Sequence, residues 1–365
     1  MHLALRIVEF AAGVVIVMII IDSAVRTFVL PRPAGVTVTR VVARAVRFVF
    51  DQIARPAKSY EGRDRVMALY GPVTLLVLPV VWLIGVGIGY ALMFHSVTHL
   101  GWRLAIRMSG SSVLTLGFAV PQNGVSVGLV FTEAAIGLVL VALLIAYLPT
   151  MYSAFSRREV MVSQLTVRAG SPPRAATLLT RAHAARYFDQ LDELWRQWEI
   201  WFVETEETHT SLAMLNFFRS TNPNRSWLTS AGAVLDAAAI RMSCLDLPFS
   251  ANAGVCIRAG FIALRSIADF FQVPYDPDPS PGDPISISRS EFLAVFDELA
   301  AAGLPMLSDR EQCWQAYAGW RVNYDSVLVT MAGLIMAPYA QWVSDRSLVQ
   351  RRHRPPVKPH RRAAR

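Results

Sequence analysis

Few residues in this chain have the type and spacing that chemistry requires. Cys244, Cys256 and Cys313 lack the paired spacing of a metal site. An odd, widely separated set makes no disulfide framework and suits a reducing compartment. His183 reads as solvent-facing on a helical stretch, and His209 follows Glu204, Glu206 and Glu207. A metal site there competes with a plain solvated acidic helix end, and the second reading is the simpler. Asp276, Asp278 and Asp283 lie in a proline-rich loop without the pattern of a calcium loop. No phosphate-binding glycine loop, no His-Glu-x-x-His and no Gly-x-Ser-x-Gly occurs. No catalytic residue, cofactor or metal ligand is therefore assigned, and the chain is not expected to be an enzyme.

The charged residues are unevenly placed. Residues 350–365 carry seven Arg/Lys and no acid, and 30–66 carry eight against three. Residues 156–349 hold 16 basic and 21 acidic residues, so the net +8 describes two basic patches, not a nucleic-acid-binding body. In the first patch Arg40, Arg44, Arg47, Asp51 and Arg55 recur at helical steps, with Val41, Val42, Phe48, Val49 and Ile53 mostly on other faces. This predicts a basic amphipathic helix lying in the inner membrane interface; a solvated charged helix is the competing reading. Arg40, Arg44 and Arg47, with Arg351, Arg352, Arg354 and Lys358 of the tail, are the candidate contacts to anionic lipid.

The elements that carry these residues are set by hydropathy. Only 17% of residues are charged and 53% are hydrophobic, a balance short of charge for a soluble domain. Met67–Phe94 and Ala134–Ser156 are uncharged for 28 and 23 residues, each enough to span a bilayer. Pro72 and Pro79 lie in the first, and Gly85 and Gly89 give it a small-xxx-small pair for close helix contact. Leu3–Ile21 is read as a third, retained span, with a signal peptide as the competing reading. Basic residues place 30–66 and everything from Arg157 on the cytoplasmic side, which leaves the N-terminus and the 95–125 loop outside.

Beyond Arg157 the pattern is helical. A long helix is predicted over Ala175–Glu204, in which Leu191, Leu194, Trp198 and Trp201 form an apolar seam. Further helices are predicted near 208–219, 228–244, 250–272, 289–302 and 309–342, with Ser226 a helix cap. The Pro/Arg-rich tail is expected to be disordered.

Between the two strongest spans, His99–Ser112 has helical composition, followed by Val113-Leu114-Thr115-Leu116-Gly117-Phe118-Ala119 and Val120-Pro121. A span, a short helix, a Thr-x-Gly-aromatic stretch and a second span together resemble the potassium-channel pore-loop superfamily, whose filter reads Thr-Val-Gly-Tyr-Gly-Asp. The resemblance covers roughly 36–158, and the junction Arg157-Arg158-Glu159 is similar to bacterial ion-channel-like proteins with helical tails. It implies that carbonyls around Thr115, Leu116, Gly117, Phe118 and Ala119, one set from each of four chains, replace the hydration shell of a monovalent cation, potassium in the first instance. Thr115 would be the inner ligand, Gly117 would permit the backbone angles, and Phe118 would pack outward. Gly137 and Pro149 would be the gating hinge. Glu133 either supports the filter from behind or sits at the outer interface, the reading preferred on sequence. Ala119 and Val120 stand where the family has glycine and aspartate.

The reading is an all-α membrane protein. It comprises an N-terminal span (1–29), a basic amphipathic segment (30–66), an ion-channel-like module (67–156) with a re-entrant pore helix and loop (98–121), an all-α cytoplasmic domain (157–349) and a basic tail (350–365). Its expected function is a homotetrameric cation channel of the cell membrane, regulated through the helical domain by an unidentified protein or ligand, with no nucleic-acid partner. The alternative keeps the pore-loop fold without conduction, as a membrane scaffold or sensor.

Overall fold

The computed structural model describes residues 2–28, 37–57, 59–98, 101–121 and 123–346. The described chain is helical, with no strand and one isolated bridge between Leu245 and Met306. It divides into two compact units, Met1–Phe155 with Ser211–Phe218, and Ser156–Thr210 with Arg219–Arg365.

The first unit is built from α1 (His2–Phe28), α2 (Thr37–Ala54), α3 (Tyr60–Met67), α4 (Tyr70–Thr98), α5 (Trp102–Val113) and the start of α6 (Gly124–Ala169). Three stretches, Leu3–Phe28, Tyr60–Thr98 and Gly124–Ala169, are long and apolar enough to cross a membrane. Close packing between α1 and α4 depends on missing side chains. A Cβ on Gly89 would lie 2.6 Å from Val17 and 2.8 Å from the carbonyl of Gly13, and one on Gly85 would lie 2.7 Å from Ile20. The small pair expected on α4 thus meets a glycine on α1 that sequence reading did not single out. Ser23 accepts from Trp82 Nε1 at 3.2 Å, satisfying a buried indole in the same seam.

The foot of α4 is closed by Ser211–Phe218, which includes a 3-10 turn over Ala213–Phe217. Phe217 packs edge-on against Tyr70, ring centroids 5.1 Å apart, and Phe218 lies where a Cβ on Gly71 would come within 2.8 Å of its ring. The sequence assigned these residues to a helix near 208–219; the regular helix instead stops at Ser211.

The second unit comprises the end of α6, α7 (Ala175–Ala184), α8 (Leu191–Ser211, to Thr210), α9 (Trp227–Cys244), α10 (Ala251–Phe270), α11 (Arg289–Ala301), α12 (Arg310–Arg321) and α13 (Asp325–Leu334). The sequence of α9, rich in small and apolar residues on all sides, specifies a buried helix. It is buried on nearly every face, with α7, α10, α12 and α13 packed against it. Ser226 caps α9 by accepting from the Leu228 N–H, and Ser288 with Glu291 forms a capping box on α11. Leu191, Leu194, Trp198 and Trp201 are buried as the apolar seam predicts.

Two long helices expected from sequence are broken. The Ala175–Glu204 pattern divides after Ala184, where Arg186 takes a left-handed backbone (φ 56°) and the Tyr187 N–H bonds the Ala182 carbonyl. The 309–342 pattern divides between Arg321 and Asp325 and ends at Leu334, with Met336 left-handed two residues before Pro338. Neither internal break carries a glycine or proline, so propensity gives no warning of it.

Candidate functional site

The short helix α5 packs between α4 and α6. Ser109 Oγ lies 2.8 Å from the Gly87 carbonyl, and Gly87 is 11 residues from the end of α4, about 16 Å along the helix axis. Ser112 donates to the Val130 carbonyl at 2.7 Å. At the carboxyl end of α5 the Val113 carbonyl would be 2.2 Å from a Cβ on Gly137. Gly137 is 13 residues into α6, about 20 Å from its start. Any side chain at 137 would push α5 away. Gly137 thus has a packing role at the place where the sequence reading put a hinge, and α6 runs unbroken through both Gly137 and Pro149.

The loop after α5 is tied to it by one residue. The Ser111 carbonyl accepts from the N–H of Leu116 at 2.8 Å and of Gly117 at 3.3 Å, and Ser111 Oγ accepts from the Ala119 N–H at 3.1 Å. Thr115 (φ 54°) and Gly117 (φ 71°) are both left-handed. In a strand, successive carbonyls point to opposite sides. Left-handed residues at alternate positions break that rule and let successive carbonyls turn the same way. Gly117 takes this backbone freely, whereas Thr115 does so at a cost of about 1–2 kcal/mol. Leu114, Thr115, Leu116, Gly117, Phe118 and Val120 are exposed on the single chain. Phe118 has the Arg107 guanidinium 5.9 Å from its ring centre, and Arg103 and Arg107 are exposed on the outer face of α5.

Glu133 of α6 is fully buried against α5. Its Oε1 is 2.5 Å from Ser109 Oγ, and its Oε2 has no partner among the described residues. A buried carboxyl thus ties α6 to the helix that precedes the loop, at the same hydroxyl that meets the Gly87 carbonyl of α4. Ser109, Ser111 and Ser112 were missed by sequence reasoning. Their signal was three hydroxyls crowded near the carboxyl end of a short helix whose two arginines lie nearer its start.

On α2, Arg40, Arg44 and Arg55 are exposed, and so are Val41, Phe48, Val49 and Ile53. Basic and apolar strips therefore lie side by side on the open face. Arg47 is different: it pairs with Asp51 at 3.0 Å, and its guanidinium lies 5.4 Å from the Tyr70 ring centre and 5.9 Å from that of Phe217. Arg351, Arg352, Arg354 and Lys358 lie outside the described residues.

His209 corrects the sequence reading in the second unit. It is fully buried, not part of a solvated helix end. Arg158 Nη1 donates to its Nε2 at 3.1 Å, which requires that nitrogen to be unprotonated, and its Nδ1 lies 2.9 Å from the Thr205 carbonyl. Burial first, and the neighbouring Arg158 second, hold its pKa well below the usual histidine range. Arg158 also pairs with Glu159 at 2.9 Å. Among the described residues no three His, Cys, Asp or Glu side chains gather as a metal site. No protein-family model, curated protein or solved structure matches this chain.

Proposed function

We propose that this chain is a pore-loop cation channel that works as a homotetramer in the cell membrane, with potassium as the first candidate ion. The observation that carries this reading is the short helix α5, held between α4 and α6 through Ser109, Ser112 and the Val113–Gly137 contact, and ending on an exposed loop with left-handed Thr115 and Gly117. Four such loops around one axis would offer rings of carbonyls to a desolvated cation. A single chain cannot encircle an ion, so the reading requires assembly through faces that the monomer leaves open. The exposed apolar residues Leu138, Ile145 and Tyr152 on α6 supply such a face.

The spans run out–in, in–out and out–in, which puts α2 at the inner interface and the helical unit in the cytoplasm. Arg40 and Arg44 then meet anionic headgroups while Val41, Phe48 and Ile53 enter the acyl boundary. The helical unit biases α6 between closed and open states. A second reading, a non-conducting scaffold or sensor, is favoured by Ala119 and Val120 in place of glycine and aspartate.

Potassium and sodium flux through purified protein in liposomes tests the proposal. Flux in the wild type that is lost in Gly117→Val, with tetramers intact by native mass, is expected. A strict monomer, or silent tetramers, would remove the channel and leave the scaffold.

A further inference from the structure

Residues 156–349 hold more acids than bases, yet no acidic residue occurs between Glu159 and Asp189, a stretch that holds Arg168, Arg174, Arg181 and Arg186. In the fold this stretch lines an open surface cleft of about 580 Å³, formed by Val167 and Arg168 of α6, Arg181 and Ala184 of α7, and Tyr187 and Gln190 beyond it. The volume is within the range of small-molecule sites.

Five arginines elsewhere in this unit pair with carboxylates, Arg158 with Glu159, Arg196 with Glu193, Arg289 with Glu311, Arg310 with Asp297 and Arg321 with Asp236, while Arg225, Arg241 and Arg265 spend their donors on hydroxyl or carbonyl oxygens. Arg174, from the same stretch, turns away to Glu298 and Gln341. The two arginines that line the cleft are not matched. Arg181 gives one N–H to the Val167 carbonyl at 2.8 Å. Its remaining donors, and all those of Arg168, have no partner among the described residues. The carboxyl ends of α6 and α7 oppose an anion here, each contributing about half a negative charge. Two full positive charges, Arg168 and Arg181, stand in the lining against these partial ones.

We infer that this cleft binds a phosphate-bearing small molecule of the nucleotide class. Guanidinium groups match phosphate oxygens in shape and charge, so Arg168 and Arg181 take the phosphate. Val167, Ala184 and the Tyr187 ring offer the apolar surface for an organic body, and Gln190 adds a side-chain amide. A soluble phosphate ester and a phospholipid headgroup share this chemistry. Val167 and Arg168 belong to the last turn of α6, so occupancy fixes how that helix ends. Regulation of ion flow by that route rests on the channel reading; binding itself does not.

The test is calorimetric titration of the full-length protein in detergent, without divalent cations. The probes are ATP, inorganic pyrophosphate, and short-chain phosphatidylglycerol against short-chain phosphatidylcholine. Saturable binding of ATP or pyrophosphate with Kd below about 1 mM is expected. Arg168→Gln should weaken it at least about tenfold, while Arg258→Gln, which removes one exposed charge from α10, leaves it unchanged. Binding of phosphatidylglycerol alone, still dependent on Arg168, would keep the site and name a lipid as its source. No binding of any probe, or equal binding by wild type and Arg168→Gln with unchanged circular dichroism, overturns the inference. Liposome flux on the same preparations separates the two proposals. Binding without flux keeps the site and removes the channel; flux without binding does the reverse.

Discussion

The two units solve the burial problem in opposite ways. In the second, charged groups go inside and are paired with one another. Asp236 accepts from Tyr317 at 3.1 Å, Tyr324 at 3.0 Å and Arg321 at 2.7 Å, and Arg321 also bonds Asp325 and the Trp342 carbonyl. In the first unit the core is sealed by glycine contacts and single hydroxyls, while Leu76, Ile84, Ile88, Leu138 and Ile145 face outward. A chain packed for water hides its large apolar groups and matches its buried charges. A chain packed for lipid has little to gain by hiding apolar groups, and relies on close backbone approach. The contrast supports the membrane reading of the first unit independently of the filter sequence.

The largest test of this comparison is removal of a buried charge from the second unit. Asp236→Ala leaves Arg321 short of one carboxylate and two tyrosine hydroxyls without an acceptor. A loss of about 3–5 kcal/mol is expected in denaturant unfolding of the full chain. A loss under 1 kcal/mol would mean that this network does not hold the unit together.

Gly89→Val tests the other mode. Its side chain would collide with Val17 and with the main chain of Gly13, neither able to move far. A loss of about 1–3 kcal/mol is expected from thermal melting in detergent. An unaffected melt would show that α1 does not lie against α4.

A third test uses pH. His209 is held neutral in the fold, so its folded pKa lies below the unfolded value near 6.5. As pH falls through that value the unfolded chain takes up a proton that the folded chain refuses. Stability should therefore fall by up to about 1.4 kcal/mol per pH unit below about 6.5, until the folded pKa is reached. His209→Gln should flatten the slope; an identical slope would assign it to other groups.

The smallest effect is the most informative about assembly. A Cβ on Gly128 of α6 meets nothing within 4 Å. In an isolated chain Gly128→Ala should stabilise by about 0.4–1 kcal/mol. Destabilisation, or loss of tetramer by native mass, would place a neighbouring subunit against that face.

The sequence alone determined that the described chain is helical and that three stretches are long and apolar enough to cross a membrane. Charge-free length and helical periodicity are local properties, and each apolar run carries its own backbone partners. The cap at Ser226, the buried Trp198 and Trp201, and the glycine seam of α4 were legible for the same reason. Tertiary structure decided the rest. It set Glu133 against Ser109 of α5, buried His209 against Arg158, gave Gly137 a packing partner, and broke the helices at 185–190 and 322–324. Each depends on which residues distant in sequence come to lie opposite one another, and spacing along one helix carries no record of that.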